Sequence, residues 1–156
     1  MTNGHKEPAG LPLPPPVLML IFLVVALIFG WTLPVPIPSP GWIRAAGLLI
    51  VIGGIGADVT AFRSMVQSHT SPDPHTPTTT IVTSGPYQLS RNPIYLGFVL
   101  IVIGLPLALG FYWGAILSPV VIDAYNRLII TREEAYLERK FGQQYLDYKS
   151  KVRRWL

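Results

Sequence analysis

Residues 17–33 (VLMLIFLVVALIFGWTL) carry no charge and come close to the length a helix needs to cross a bilayer. Three further apolar runs follow. Residues 41–62 are interrupted by Arg44 near the start and Asp58 near the end. Residues 93–109 are apolar throughout, and residues 111–130 contain Asp123, Asn126 and Arg127. A turn near Gly110 makes the last two runs a helical hairpin. Half of the residues are hydrophobic and 13% are charged, against about 25% in an average soluble domain. With 156 residues the chain makes one domain, too small to bury this much apolar surface in a single core. The expectation is an all-α, polytopic membrane protein of about four transmembrane helices, followed by an amphipathic C-terminal helix.

The 16 prolines concentrate at 8–16 and 34–40, where they punctuate the apolar runs. No small-residue cleavage site follows the first run, so it reads as a retained span and not a signal peptide. Residues 1–16 read as disordered. Four spans put both termini on one side, together with Lys6, Arg63, Arg91, Arg127 and every basic residue from Arg132 onward. The positive-inside rule makes that side cytoplasmic, with a bacterial inner membrane as the expected location. The net charge of +4 therefore belongs to a membrane surface and not to nucleic acid. The basic C-terminus is either a solvated tail or rests on anionic headgroups. The chain has no cysteine, which excludes disulfides, thiolate metal sites and a cysteine nucleophile. No metal site is expected.

Chemistry concentrates after residue 63. If the fourth run continues as a helix, Asp123, Asn126, Arg127, Ile130, Glu133, Glu134, Leu137 and Phe141 share one inward face. Carboxylates on such a face are paired or functional. Asp123 is expected to pair with Arg127 at i, i+4, whereas Glu133 and Glu134 are read as functional. Asp58 is expected to pair with Arg63, the other reading being a cap on the pocket. His69 and His75 are read as solvated loop residues. Gly85 and Pro86 mark a turn, and Pro93 suits the first turn of a helix. Arg91 and Asn92 then stand beside free backbone N–H groups, a good setting for a carboxylate, although ordinary membrane helices start in the same way.

The run GPYxxxRNPxYxG followed by EExxLxxxFGxxYxxY resembles the isoprenylcysteine carboxyl methyltransferases and their bacterial relatives. The matching residues are Gly85, Pro86, Tyr87, Arg91, Pro93, Tyr95 and Gly97, then Glu133, Glu134, Leu137, Phe141, Gly142, Tyr145 and Tyr148. Phospholipid N-methyltransferases and membrane sterol reductases are similar at greater distance. The resemblance implies an S-adenosylmethionine pocket at the cytoplasmic ends of the last two spans. Its cofactor contacts would come from Thr79, Thr80, Ile81, Val82, Gly85, Tyr87, Asn92, Pro93, Ile94, Tyr95 and Glu133. Its catalytic candidates would be Arg91, Asn92, Glu133 and Glu134. The acceptor would be a lipophilic carboxylate, amine or thiol entering from the bilayer; the oligomeric state is left open. Two positions depart from the pattern. Asn92 replaces a histidine and cannot titrate near neutral pH. Ile129 stands where prenylcysteine enzymes carry a substrate-binding arginine, so prenylcysteine is not carried over as substrate. The alternatives are a silent relative, a small four-helix transporter, or a reductase, although no glycine-rich dinucleotide fingerprint is present.

Overall fold

The computed structural model describes residues 11–70 and 78–156. Every regular element among them is helical: α1 (Pro15–Thr32), α2 (Gly41–Gln67), a 3₁₀ turn (Gly85–Gln88), α3 (Pro93–Ala108), α4 (Trp113–Tyr125), a π-helical segment (Asn126–Ile130), α5 (Thr131–Phe141) and α6 (Gln143–Lys151). Helices α1 and α2 are long and apolar enough to cross a membrane, and α3 is apolar but shorter. Their outer faces leave Leu20, Val24 and Ile28 of α1 and Leu49, Ile52 and Ile55 of α2 exposed. A continuous apolar face of this kind suits lipid and not water. Trp31 and Trp42, at the facing ends of these helices, are also exposed, as interfacial tryptophans are.

Glycine sets the closeness of α2 and α3. A Cβ on Gly104 would lie 2.7 Å from the Gly47 carbonyl oxygen, and one on Gly54 would lie 2.9 Å from that of Gly97. The two backbones therefore touch, which is how helices gain packing energy where lipid removes the hydrophobic drive. Overpacking such a contact costs about 1–3 kcal/mol. We expect Gly104→Ala to lower the melting temperature of the detergent-solubilised protein. Gly53→Ala should not, because that position faces open space.

The α3–α4 hairpin turns at Gly110, whose φ of 93° favours glycine. At this end Trp113 Nε1 donates to the Leu33 carbonyl (2.7 Å) and the Tyr112 hydroxyl to that of Pro38 (2.7 Å). The core joins Leu18 of α1, Tyr95, Val99 and Val102 of α3, Val121 and Tyr125 of α4, and Ile129 and Ile130. Three expectations need correction. Residues 11–16 are ordered: Leu11 packs on the core, Pro15 and Pro16 open α1, and the Pro15 carbonyl accepts the Tyr125 hydroxyl at 2.9 Å. Residues 1–10 lie outside the described residues. The amphipathic C-terminal helix is two helices, because Gly142 takes φ 54° and ends α5. The helix after α4 is not uniformly α-helical. Its π-helical segment takes in an extra residue, which turns everything beyond it by about 100°. Asp123 and Arg127 consequently do not share the inward face. They form the expected i, i+4 pair at 2.8 Å, but with side chains 57% and 78% exposed.

Candidate functional site

The loop before α3 is held against the end of α2. Thr70 is buried and hydrogen-bonds Thr79 Oγ1 (2.9 Å), the Thr80 carbonyl (3.1 Å) and the Thr80 amide (3.1 Å). Gly85 opens the 3₁₀ turn at φ 59°, packed so closely on Ser64 that a Cβ would lie 2.5 Å from its Oγ. The turn places Tyr87, and the Tyr148 hydroxyl of α6 donates to the Tyr87 carbonyl at 2.7 Å.

The chain then returns from far away. The Arg91 amide donates to the Arg153 carbonyl (2.9 Å), and the Ser90 hydroxyl and Asn92 Nδ2 both donate to that of Arg154 (3.2 and 2.9 Å). Trp155 Nε1 donates to Asn126 Oδ1 in the π-helical segment at 3.2 Å. Asn92, a candidate for chemistry in the sequence, thus uses its amide to hold the C-terminal segment.

These elements enclose a cavity of about 380 Å³, within the range of small-ligand sites. Thr80, Ile81, Val82, Tyr87, Arg91, Asn92, Pro93, Ile94, Tyr95, Glu133 and Glu134 all line it. Thr79 and Gly85 do not: Thr79 Oγ1 turns away to the His69 carbonyl (2.8 Å), and Gly85 shapes the turn. Sequence reasoning missed Phe62 and Met65 of α2, Thr70, Phe98 of α3 and Tyr136 of α5. Phe62 and Met65 were recoverable as the continuation of the Asp58 face; Thr70 had no local signal.

The two adjacent glutamates have different surroundings. Glu134 is enclosed by cations: Arg91 Nη2 at 2.9 Å, Arg154 through Nε (3.1 Å) and Nη2 (2.6 Å), and Lys149 at 3.9 Å. Its side chain is 8% exposed, and its lone pairs are committed to these partners. The hydrogen bond from Arg154 and the Glu134 charge hold that guanidinium above its ordinary value. Glu133 meets no cation among the described residues. Its Oε1 accepts the Tyr95 hydroxyl at 2.6 Å. Burial pushes its carboxyl up to about 7, opposed by the Tyr95 hydrogen bond and reinforced by Glu134. The Tyr87 phenol is likewise raised, first by burial and then by Tyr148, Glu133 and Asp58.

Arg91 keeps Nε and Nη1 buried with no hydrogen-bond partner. Among the described residues the cavity therefore offers a carboxylate without a counter-ion, a guanidinium with donors to spare, and aromatic walls from Tyr87, Phe98 and Tyr148. This set suits a ligand bearing both a cation and a carboxylate on an aromatic body. S-adenosylmethionine has these parts, so the residues fit it. No group of three or more metal-ligating side chains occurs among the described residues.

Asp58 is not paired with Arg63. Five residues apart, the two project about 140° from each other around the helix, and Arg63 is exposed. Asp58 Oδ1 is instead buried with no hydrogen-bond partner, in the space a side chain on Gly97 would take. His69 is exposed at the end of α2, while His75 lies outside the described residues.

Comparison with known proteins adds the following. The profile of the phospholipid methyltransferase family matches residues 42–144. The protein-S-isoprenylcysteine O-methyltransferase of Rattus norvegicus is 36% identical over 118 residues, covering 71% of this chain and 40% of the rat protein. The protein-S-isoprenylcysteine O-methyltransferase B of Arabidopsis thaliana is 35% identical over 115 residues, 71% of this chain and 57% of that protein. An uncharacterized protein of Haemophilus influenzae is 48% identical over 66 residues, 40% of this chain and all of that protein. The chain thus spans only about 40% of the rat protein's length. No solved structure matches it significantly.

Proposed function

This chain belongs to the phospholipid methyltransferase family, and from that premise we propose that it is an integral-membrane, S-adenosylmethionine-dependent methyltransferase acting on a lipophilic acceptor. The observation that carries the proposal is the pairing, on one cavity, of Glu133 with no cation among the described residues and Arg91 with two nitrogens that have no hydrogen-bond partner among them. Arg91 would hold the cofactor's carboxylate, Glu133 its ammonium or ribose diol, and the aromatic walls its adenine. Bound there, the cofactor supplies a methyl group already activated as a sulfonium. The residues' own contribution is to bind, orient and exclude water, and positioning of this kind is worth on the order of 7–11 kcal/mol in well-oriented systems. Glu134 serves indirectly by fixing Arg91.

We place four spans in the bilayer, with α3 and α4 plus the π-helical segment as the short pair. The cavity and both termini then lie at the cytoplasmic face. Arg91 lines the cavity, and Lys149 and Arg154 reach Glu134 on its wall, which supports this orientation under the positive-inside rule. A cofactor would enter from the cytoplasm and an acceptor from the bilayer.

Calorimetric titration of the detergent-purified protein tests the proposal. S-adenosylmethionine and its demethylated product should both bind. Tyr87→Ala should weaken binding roughly tenfold, the worth of about one aromatic contact, and His69→Ala should leave it unchanged. Absence of binding by the unaltered protein overturns the proposal.

A further inference from the structure

Two arginines share one carboxylate at the cavity wall, and they share it unequally. Glu134 Oε1 accepts Arg91 Nη2 (2.9 Å) and Arg154 Nε (3.1 Å), while Oε2 accepts Arg154 Nη2 (2.6 Å). Arg154 therefore makes the two-pronged pair and Arg91 a one-pronged one. An arginine alone with a carboxylate favours the two-pronged form, because its parallel N–H groups match the two oxygens. Arg91 alone with Glu134 would adopt that form and commit a second nitrogen to Oε2. Arg154 holds that oxygen, and Arg91 keeps Nε and Nη1 with no hydrogen-bond partner among the described residues. Lys149 is a poor substitute for Arg154. It stands 3.9 Å from Oε2 and is tied to Glu138.

The backbone fixes Arg154 relative to Arg91. The Arg154 carbonyl accepts the Ser90 hydroxyl and Asn92 Nδ2, and the Arg153 carbonyl accepts the Arg91 amide. The residues on either side of Arg91 are thus bound to the residue that competes with it for Glu134. Trp155 Nε1 anchors the next position to Asn126. Residues 153–155 form a clasp behind the cavity wall. Arg91, Arg154 and Lys149 in this cluster meet the two carboxylates of Glu134 and Glu138, which leaves one positive charge in excess. That excess favours an anionic group on the cavity side, where Arg91 is the lining member.

We propose that Arg154 is a positioning residue of the ligand site: by occupying Glu134 it keeps two Arg91 nitrogens available for a ligand carboxylate. Arg154 does not line the cavity and acts only through Glu134 and Arg91. The assignment rests on the S-adenosylmethionine reading above for the identity of the ligand. It makes the clasp part of ligand selection, since a carboxylate is favoured only while the clasp is seated.

The test uses the full chain in phosphatidylcholine nanodiscs, titrated calorimetrically with S-adenosylmethionine and with decarboxylated S-adenosylmethionine. The second ligand keeps the sulfonium, the amine and the adenosine and lacks the carboxylate. The unaltered protein should prefer S-adenosylmethionine by roughly 10–100-fold, the worth of one charge-assisted hydrogen bond. Arg154→Ala should cut that preference to about threefold or less, with affinity for the decarboxylated ligand kept within about twofold. Arg154→Lys supplies one donor for Oε2 and should recover part of the preference. With Arg91 already changed to alanine, Arg154→Ala should not alter the preference further, because the two residues act in series. An unchanged preference in Arg154→Ala, or an equal loss of both ligands in Arg154→Ala and Arg154→Lys, would overturn the assignment and leave the cofactor reading standing. Binding of neither ligand by the unaltered protein overturns the cofactor reading and the assignment with it.

Discussion

Glu134→Ala is expected to have the largest effect on stability of any single change at the site. The carboxylate it removes ties four parts of the chain together: α5, the loop before α3 through Arg91, α6 through Lys149, and the C-terminal segment through Arg154. Arg91 is 9% exposed and already carries two unpartnered nitrogens. Without Glu134 it becomes a buried cation with no counter-charge. Removing one partner of such a buried pair costs about 3–5 kcal/mol. The C-terminal segment should loosen with it, since Arg154 loses both of its hydrogen bonds to that carboxylate and only those from residues 90–92 and to Asn126 remain. Thermal melting and carboxypeptidase digestion of the purified variant measure the two effects. Lys149→Ala provides the graded control. Its contact to Glu134 is 3.9 Å and its side chain is 37% exposed, so it should cost less than about 1 kcal/mol. Equal stability of Glu134→Ala and the unaltered protein would show that the cluster is held from elsewhere.

Glu133→Gln should affect binding and pH dependence, and leave the fold intact. Glutamine keeps an oxygen for the Tyr95 hydroxyl but cannot ionise. The carboxyl stands near 7 in the folded chain against an ordinary value of 4.5. Between those values the folded state holds the extra proton, so stability falls as pH rises from about 4.5 to about 7. Above that window the whole penalty, on the order of 3 kcal/mol, is present. Glu133→Gln should abolish this decline and be the more stable protein at pH 8. Ligand binding should run the other way. A cationic ligand selects the ionised form, so affinity should climb toward pH 7 by up to tenfold per pH unit. Glu133→Gln should bind roughly 10–100-fold more weakly at pH 8 with a flat pH profile. Calorimetry from pH 5.5 to 8 resolves both, and a rising profile retained in the variant would place the titrating group elsewhere.

The helices were legible wherever one periodic signal ran without interruption. The apolar runs gave α1, α2 and α3 to within a few residues, Pro93 marked the start of α3, and Gly110 marked its turn. Most of the cavity wall was legible too, because Tyr87, Arg91, Tyr95 and Glu133 sit in motifs with distinctive spacing. What escaped depends on distant parts of the chain or on a break in periodicity. Residues 90–92 are held by residues 153 and 154, more than sixty positions away. Asn92 lines the cavity as its place in the motif suggested, but its hold on the C-terminal segment had no signal near it in the sequence. Glu133 and Glu134 are neighbours of one type, and only their surroundings separate the saturated carboxylate from the available one. Asp58 was assigned to Arg63 on proximity in sequence, which ignored the angle between them around the helix.

The π-helical segment between α4 and α5 has a bearing on how such a chain can change over time. It uncouples two rotational phases: the composition of the helix before it can drift, while the glutamates after it keep their orientation to the cavity. The same segment makes the chain vulnerable to one kind of lesion. Loss of a single residue from 126–130 would restore an ordinary helix and swing Glu133 and Glu134 together about a quarter turn away from the cavity. An in-frame deletion in an apolar stretch, which hydropathy alone would score as harmless, would thus separate both carboxylates from their partners at once.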